Sequence, residues 1–210
     1  MPAVKPKRHA PGVDMTAMVD VAFLLLTFFI LTTKFRAEET FPVDTPAAAS
    51  ATTLPESGVV LIGVDQEERV SFSIVDFDVK EEMLAIIEEQ YGYRFSELGK
   101  QFFKSTSDFG LPFGKLATWL NQPTAEQMKN FPMTGIPVSK DPRKENDLVK
   151  WIRTVRRAAR RVDKALVFAI KGDLDASYVR MDEVIYTMQE EGINRFNMVT
   201  QMEVDPRVEK

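Results

Sequence analysis

The chain has 210 residues, 44% hydrophobic and 28% charged, the balance of a folded protein with room for one globular domain and an anchor. It has no cysteine, and its single histidine is His9, which excludes disulfides, thiol catalysis and any Ser-His-Asp or multi-histidine metal site in the folded part. A net charge of -4 gives no basis for nucleic acid as the main partner.

Residues 1–13 carry Lys5, Lys7 and Arg8 among Pro2, Pro6 and Pro11, a tail too short and broken to fold. Positive charge ahead of a first span favours leaving that end in the cytoplasm. The run Met15–Thr33 follows, with no glycine or proline and one charge, Asp20. A spanning helix takes roughly 17–25 mostly apolar residues, so a transmembrane helix is expected over 14–34. A cleaved signal peptide would have a shorter apolar core and a small-residue site behind it. Here Lys34-Phe35-Arg36 follows, and Ala47-Ala48-Ala49 lies well beyond the run, so the segment reads as an uncleaved anchor.

Asp20 is the residue to explain. A carboxylate in hydrocarbon costs at least about 2.5–3.5 kcal/mol, and intramembrane acids face a bundle interior or a water path. At about 100° per residue, Thr16 and Thr27 share its helix face, with Leu24 and Leu31 completing the stripe. One reading is a carboxyl that alternates between charged and neutral states beside supporting hydroxyls. The other is a helix-end residue that snorkels to the headgroups.

The stretch Asp14-Met15-Thr16-Ala17-Met18-Val19-Asp20, leading into Val21-Ala22-Phe23-Leu24-Leu25-Leu26, resembles the membrane signature of the ExbD/TolR family. That signature is a polar residue, one more residue, Thr-Pro, two further residues, then an acid heading a hydrophobic run; Ala17 stands where proline is usual. The resemblance implies that Asp20 carries a proton. It also implies a single-pass protein of the bacterial inner membrane, with its N-terminus in the cytoplasm and its folded domain in the periplasm. The implied partners are an ExbB/TolQ-like multi-helix membrane protein that cages the helix, a second copy of the chain, and a TonB-like protein.

Residues 35–57, rich in Ala, Thr and Pro, read as an extended linker. Within it Val43-Asp44-Thr45-Pro46 is similar to the family's Val-x-Leu-Pro motif, with Thr45 in place of leucine. The similarity implies a contact motif at Val43, Asp44 and Pro46; a plain spacer is the other reading.

A domain is expected over 58–210. Val59–Val64 and Val70–Ile74 are β-rich runs around Asp65-Gln66-Glu67-Glu68-Arg69, a hairpin signal. A helix follows with Asp78 as candidate N-cap and Val79, Met83, Ile86 and Ile87 on its apolar face. Residues 92–143 look like an inserted helical subdomain. Its expected anchors include Phe95, Leu98, Phe102 and Phe103, followed by Leu116, Trp119, Leu120 and Phe131.

Glu145–Val162 reads as a helix with one face of Leu148, Trp151, Ile152, Val155, Ala159 and Val162. Another face gathers Arg153, Arg156, Arg157, Arg160 and Arg161, which reads either as an anion-binding surface or as a solvated face paired with nearby acids. The chain then reads strand over 165–170, a helix from the candidate N-cap Ser177 to Glu191, and strand over 195–200. Gly192 is suited to a left-handed helix end. Asp173 and Asp175 fit a turn, since the other ligands of a calcium loop are missing. Ile170-Lys171-Gly172-Asp173, Tyr178 and Gly192-Ile193-Asn194-Arg195-Phe196 resemble the end of ExbD-type periplasmic domains.

The expected fold is therefore α+β: a single N-terminal transmembrane helix followed by a domain with a mixed sheet and packed helices. The expected function is proton-motive-force coupling in an ExbB-ExbD-type motor that energises TonB-dependent outer-membrane transport. Two alternatives stand beside it, a TolR-like envelope-integrity subunit binding peptidoglycan and a non-energised anchored adaptor. No nucleophile–base pair or ligand cluster marks an enzyme, a cofactor or a metal site.

Overall fold

The computed structural model describes residues 15–32, 47–48, 57–173, 176–199 and 201–202. The chain divides into two compact units, Met1–Arg36 and Ala37–Lys210.

In the first unit the run without glycine or proline forms one helix, α1 (Met15–Thr32), of 18 residues. At 1.5 Å per residue it is about 27 Å long, close to the roughly 30 Å of a bilayer's hydrocarbon core. It is the one helix among the described residues long and apolar enough to cross a membrane.

The second unit is an α+β domain built on a mixed five-stranded sheet. Its elements in chain order are β1 (Ala47–Ala48), β2 (Val59–Val64), β3 (Val70–Ile74), α2 (Phe77–Tyr91), α3 (Glu97–Ser105) and β4 (Asp108–Phe109), then a 3-10 turn at Phe113–Lys115. There follow α4 (Leu116–Leu120), α5 (Ala125–Lys129), α6 (Asp147–Arg161), β5 (Val167–Gly172), α7 (Tyr178–Glu190), β6 (Asn197–Val199) and β7 (Gln201–Met202). The sheet order is β4-β3-β2-β5-β6, and β1 pairs separately with β7. The pairing is antiparallel on the β3 side of β2 and parallel on the β5 side.

The β2–β3 hairpin follows from its turn chemistry. The Asp65 carboxylate accepts from the Arg69 amide at 2.8 Å and from Arg69 Nε at 2.7 Å, clamping both ends of the turn. Beyond the turn, alternation places Val60, Ile62 and Val64 opposite Ile74, Phe72 and Val70, all in the buried core. On the other side Ile62 stands beside Ile170 of β5, so Phe72, Ile62 and Ile170 form one row across three strands.

Helix α2 begins two residues earlier than expected. Asp76, not Asp78, holds the N-cap, and Asp78 falls in the first turn. The carboxylate of Asp76 does not cap the helix. It accepts from the Gly58 amide and from Lys164 Nζ at 2.7 Å, tying the start of β2 to the segment after α6. Burial alone would raise the Asp76 pKa. The hydrogen bonds from Lys164 and Gly58 and the lysine's charge together outweigh it and hold the carboxyl below the usual range.

Residues 92–143 carry α3, α4 and α5, but they also supply the sheet's edge strand β4. Their aromatic rings join the main core. Phe109 and Phe113 lie 4.7 and 4.9 Å from the ring of Trp151 on α6, and Phe103 and Trp119 pack behind Phe109. Leu98, expected as an anchor, is 41% exposed, whereas Phe109 and Phe113 are buried and make the junction. Asp147 fixes the same junction, since its buried carboxylate accepts from the Phe113 amide at 2.7 Å and from Lys150 Nζ at 2.6 Å. Gly99 lets α3 approach α4 closely, because a Cβ there would stand 1.9 Å from the Leu120 carbonyl oxygen.

The later elements follow the sequence pattern with shifted ends. Helix α6 is Asp147–Arg161, and Leu148, Trp151, Ile152, Val155 and Ala159 of its expected face are buried. Ser177 is the N-cap position of α7, and Gly192 has a φ of 75° just beyond that helix.

Candidate functional site

The site built on α1 follows from what the helix lacks. None of its residues is buried. Apolar surface in water costs about 25 cal/mol per Å², so a helix of this composition is consistent with a membrane span.

Polar groups on such a helix must be satisfied locally or by a partner. Thr27 donates its hydroxyl to the Phe23 and Leu24 carbonyls, each at 3.0 Å, and Thr32 donates to the Phe28 carbonyl at 2.7 Å. These hydroxyls are spent on the helix backbone. Asp20 is exposed and makes no hydrogen bond or ion pair among the described residues. Thr16 lies one turn before it and Thr27 about 10 Å further along the axis, all within an arc of about 40°. Thr27 is therefore too distant to bond the carboxylate directly and offers only its remaining lone pairs to a neighbour. The arrangement is one acid on the Thr16–Asp20–Thr27 face of an otherwise apolar helix. Val43, Asp44 and Pro46 lie outside the described residues.

The arginine face of α6 separates into two groups. Arg153 pairs with Glu191, its Nη2 at 2.7 Å, and Arg161 bridges Glu82 at 2.7 Å and Glu89 at 2.8 Å. Arg157 donates to Gln90. These side chains stitch α6 to α2 and to the end of α7, as a solvated, acid-paired face does. Arg156 and Arg160 instead turn to a groove that also receives Lys164 and Arg195. Sequence reasoning placed Arg195 only at the start of a strand; its company with α6 is made by the fold.

Asp173 sits in a turn in which its amide donates to the Val64 carbonyl and its carbonyl accepts from the Ala176 amide. Asp175 lies outside the described residues.

Comparison with known proteins agrees with both ends of this picture. The sequence matches the family described as "Biopolymer transport protein ExbD/TolR" over residues 6–203. It is similar to the biopolymer transport protein exbD2 of Vibrio cholerae serotype O1, 36% identical over 53 residues, which are 25% of this chain. That match spans 40% of the Vibrio protein's length. No solved structure matches. With an acid-bearing apolar helix ahead of a mixed α+β domain and a family match covering nearly the whole sequence, the chain belongs to the ExbD/TolR family of biopolymer transport proteins.

Proposed function

We propose that this protein is the proton-coupling subunit of an inner-membrane motor that energises TonB-dependent outer-membrane transport. The observation that carries the proposal is Asp20, the single ionisable group on an apolar helix whose flanks have no cover of their own. In this reading residues 1–13 lie in the cytoplasm, 14–34 span the membrane, 35–57 form a spacer and 58–210 fold in the periplasm. An ExbB/TolQ-like protein surrounds α1 of two copies, because a lone helix cannot enclose a path for protons.

Asp20 takes a proton from the periplasmic side. Neutral, it moves past an apolar partner surface; charged, it stays against water or polar partner groups. One charge moving through the full field releases about 2.3 kcal/mol per 100 mV, enough to bias rotation or rocking of the helix in one direction. The folded domain passes that motion to a TonB-like protein. No covalent reaction is catalysed. The name of the Vibrio relative favours the ExbD branch over the TolR branch.

Growth on a nutrient that requires outer-membrane uptake tests the proposal, with wild type, Asp20→Asn and Asp20→Glu compared at equal expression. Loss with asparagine and partial retention with glutamate is the expected pattern. Full growth with both variants would refute the proposal and leave Asp20 a helix-end residue.

A further inference from the structure

The domain carries a cationic groove that proton coupling does not use. Strands β5 and β6 pair only from Ala169 and Asn197 onward. Ahead of that pair the two segments splay apart, and a cavity of about 540 Å³ opens between them and the C-terminal half of α6. A second cavity of about 440 Å³ shares the Asn194 and Arg195 wall and extends along the splay to Asn197. Phe168 and Ile193, both buried, give the trough an apolar floor.

Arg156, Arg160, Lys164 and Arg195 line this trough, and among the described residues no acidic side chain lines either cavity. Lys164 is neutralised by Asp76 and Asp78. The guanidinium of Arg156 is not, because Nη1 donates at 2.6 Å to the main-chain carbonyl of Glu191, whose carboxylate is held by Arg153. Arg160 and Arg195 are exposed and make no ion pair or hydrogen bond among the described residues. Three guanidinium groups therefore line one trough without a carboxylate among the described residues, in a chain whose net charge is -4 and whose other α6 cations are largely partnered. Like charges gathered in one trough repel each other and attract an anion.

We infer that the trough binds an acidic, extended segment of a partner protein. Planar guanidinium forks match carboxylates in a bidentate manner, so glutamate or aspartate side chains sit over Arg160 and Arg195. The two cavities share Leu166, Phe168, Asn194 and Arg195, and a site continued over both suits a linear chain. The amides of Asn194 and Asn197 in the second lobe can donate to and accept from a peptide backbone, and the Phe168–Ile193 floor takes an apolar side chain between acidic ones. This inference stands independently of the role given to Asp20.

The test uses the full chain in a non-ionic detergent and a fluorescein-labelled octapeptide of alternating glutamate and valine, read by fluorescence anisotropy. The glutamate peptide is expected to bind, with affinity falling as salt rises, and a glutamine–valine peptide is expected not to bind. The double variant R160A/R195A should raise Kd by about tenfold or more. Arg157→Ala, exposed on the same helix but outside the trough, should leave Kd unchanged. Both trough arginines are exposed and unpaired, so unaltered tryptophan fluorescence will report an intact fold. Equal affinity in the double variant, equal binding of the glutamine peptide, or no binding would overturn the inference. So would an effect of the double variant confined to sedimentation with phosphatidylglycerol vesicles, which would assign the trough to a lipid surface.

Discussion

Lys80 sits in α2 with only 4% of its surface exposed, and its ammonium donates to the carbonyls of Lys104, at 3.2 Å, and Thr106, where α3 ends. Burial penalises its charge, and the nearby Asp108 carboxylate only partly offsets this, so its pKa falls from 10.5 to about 8. A base whose folded pKa is depressed binds its proton less tightly in the folded than in the unfolded chain. Folding stability must therefore rise as pH climbs from about 8 to 10.5, where the unfolded chain holds the extra proton. At about 1.4 kcal/mol per pH unit, the full gain is about 3.5 kcal/mol. Lys80→Met removes the titrating group and should remove the slope. Guanidinium unfolding of the full chain in detergent at pH 7, 8, 9 and 10 measures this, followed by fluorescence of Trp119 and Trp151, the only tryptophans and both in the domain core. The informative quantity is the difference between wild type and variant, because other titrating groups cancel in it. A wild-type-minus-variant difference that stays flat or falls across this range would refute the reasoning.

Trp151→Ala should cost about 3–5 kcal/mol of domain stability, since the ring touches Phe72, Phe109 and Phe113 with no exposure; Trp119 fluorescence remains as the probe. Gly99→Ala should cost about 2–3 kcal/mol, because the new methyl meets the main-chain oxygen of Leu120 and not a side chain that can turn away. Asp76 works in the opposite pH direction to Lys80. Its folded pKa lies below 3.8, so its stabilisation is complete above that value and is lost as pH falls through the folded pKa. Acid unfolding followed between pH 5 and pH 2 should show a shallower loss in Asp76→Asn than in wild type.

Much of this architecture was legible in the sequence because the local signals were strong. An apolar run without breakers became α1, and β-rich runs around Asp65–Arg69 became the hairpin. The 3.6-residue period of Leu148, Trp151, Ile152 and Val155 became the buried face of α6. What stayed hidden depends on contacts made by the fold. Asp78 reads as a cap by spacing alone, but the N-cap position is Asp76, whose carboxylate bonds Gly58 and Lys164 and not the helix amides. Strand β4 has two residues, too few for any period, and exists because Phe72 and Ser73 offer an edge. Nothing in the local sequence marks Lys80 as buried; the end of α3 closes over it. For the site, Asp20 is visible as a lone acid in an apolar run, whereas the trough is not, because Arg160 and Arg195 are brought together only by the packing of α6 against the end of the sheet.

The central strand has a consequence for how this domain is made. β2 meets β3 across a five-residue turn, but its other neighbour, β5, arrives roughly a hundred residues later. Closing a loop of that length costs about 4 kcal/mol of chain entropy before any parallel pair forms. A nascent chain delivered from its N-terminus can thus form the hairpin and α2 early, yet one edge of β2 stays open until α6 and β5 emerge. An open strand edge of Val, Leu and Ile invites pairing with other chains. The slow step of folding is therefore expected to be the docking of β5, and chains ending before residue 167 should aggregate and not accumulate as a smaller stable domain.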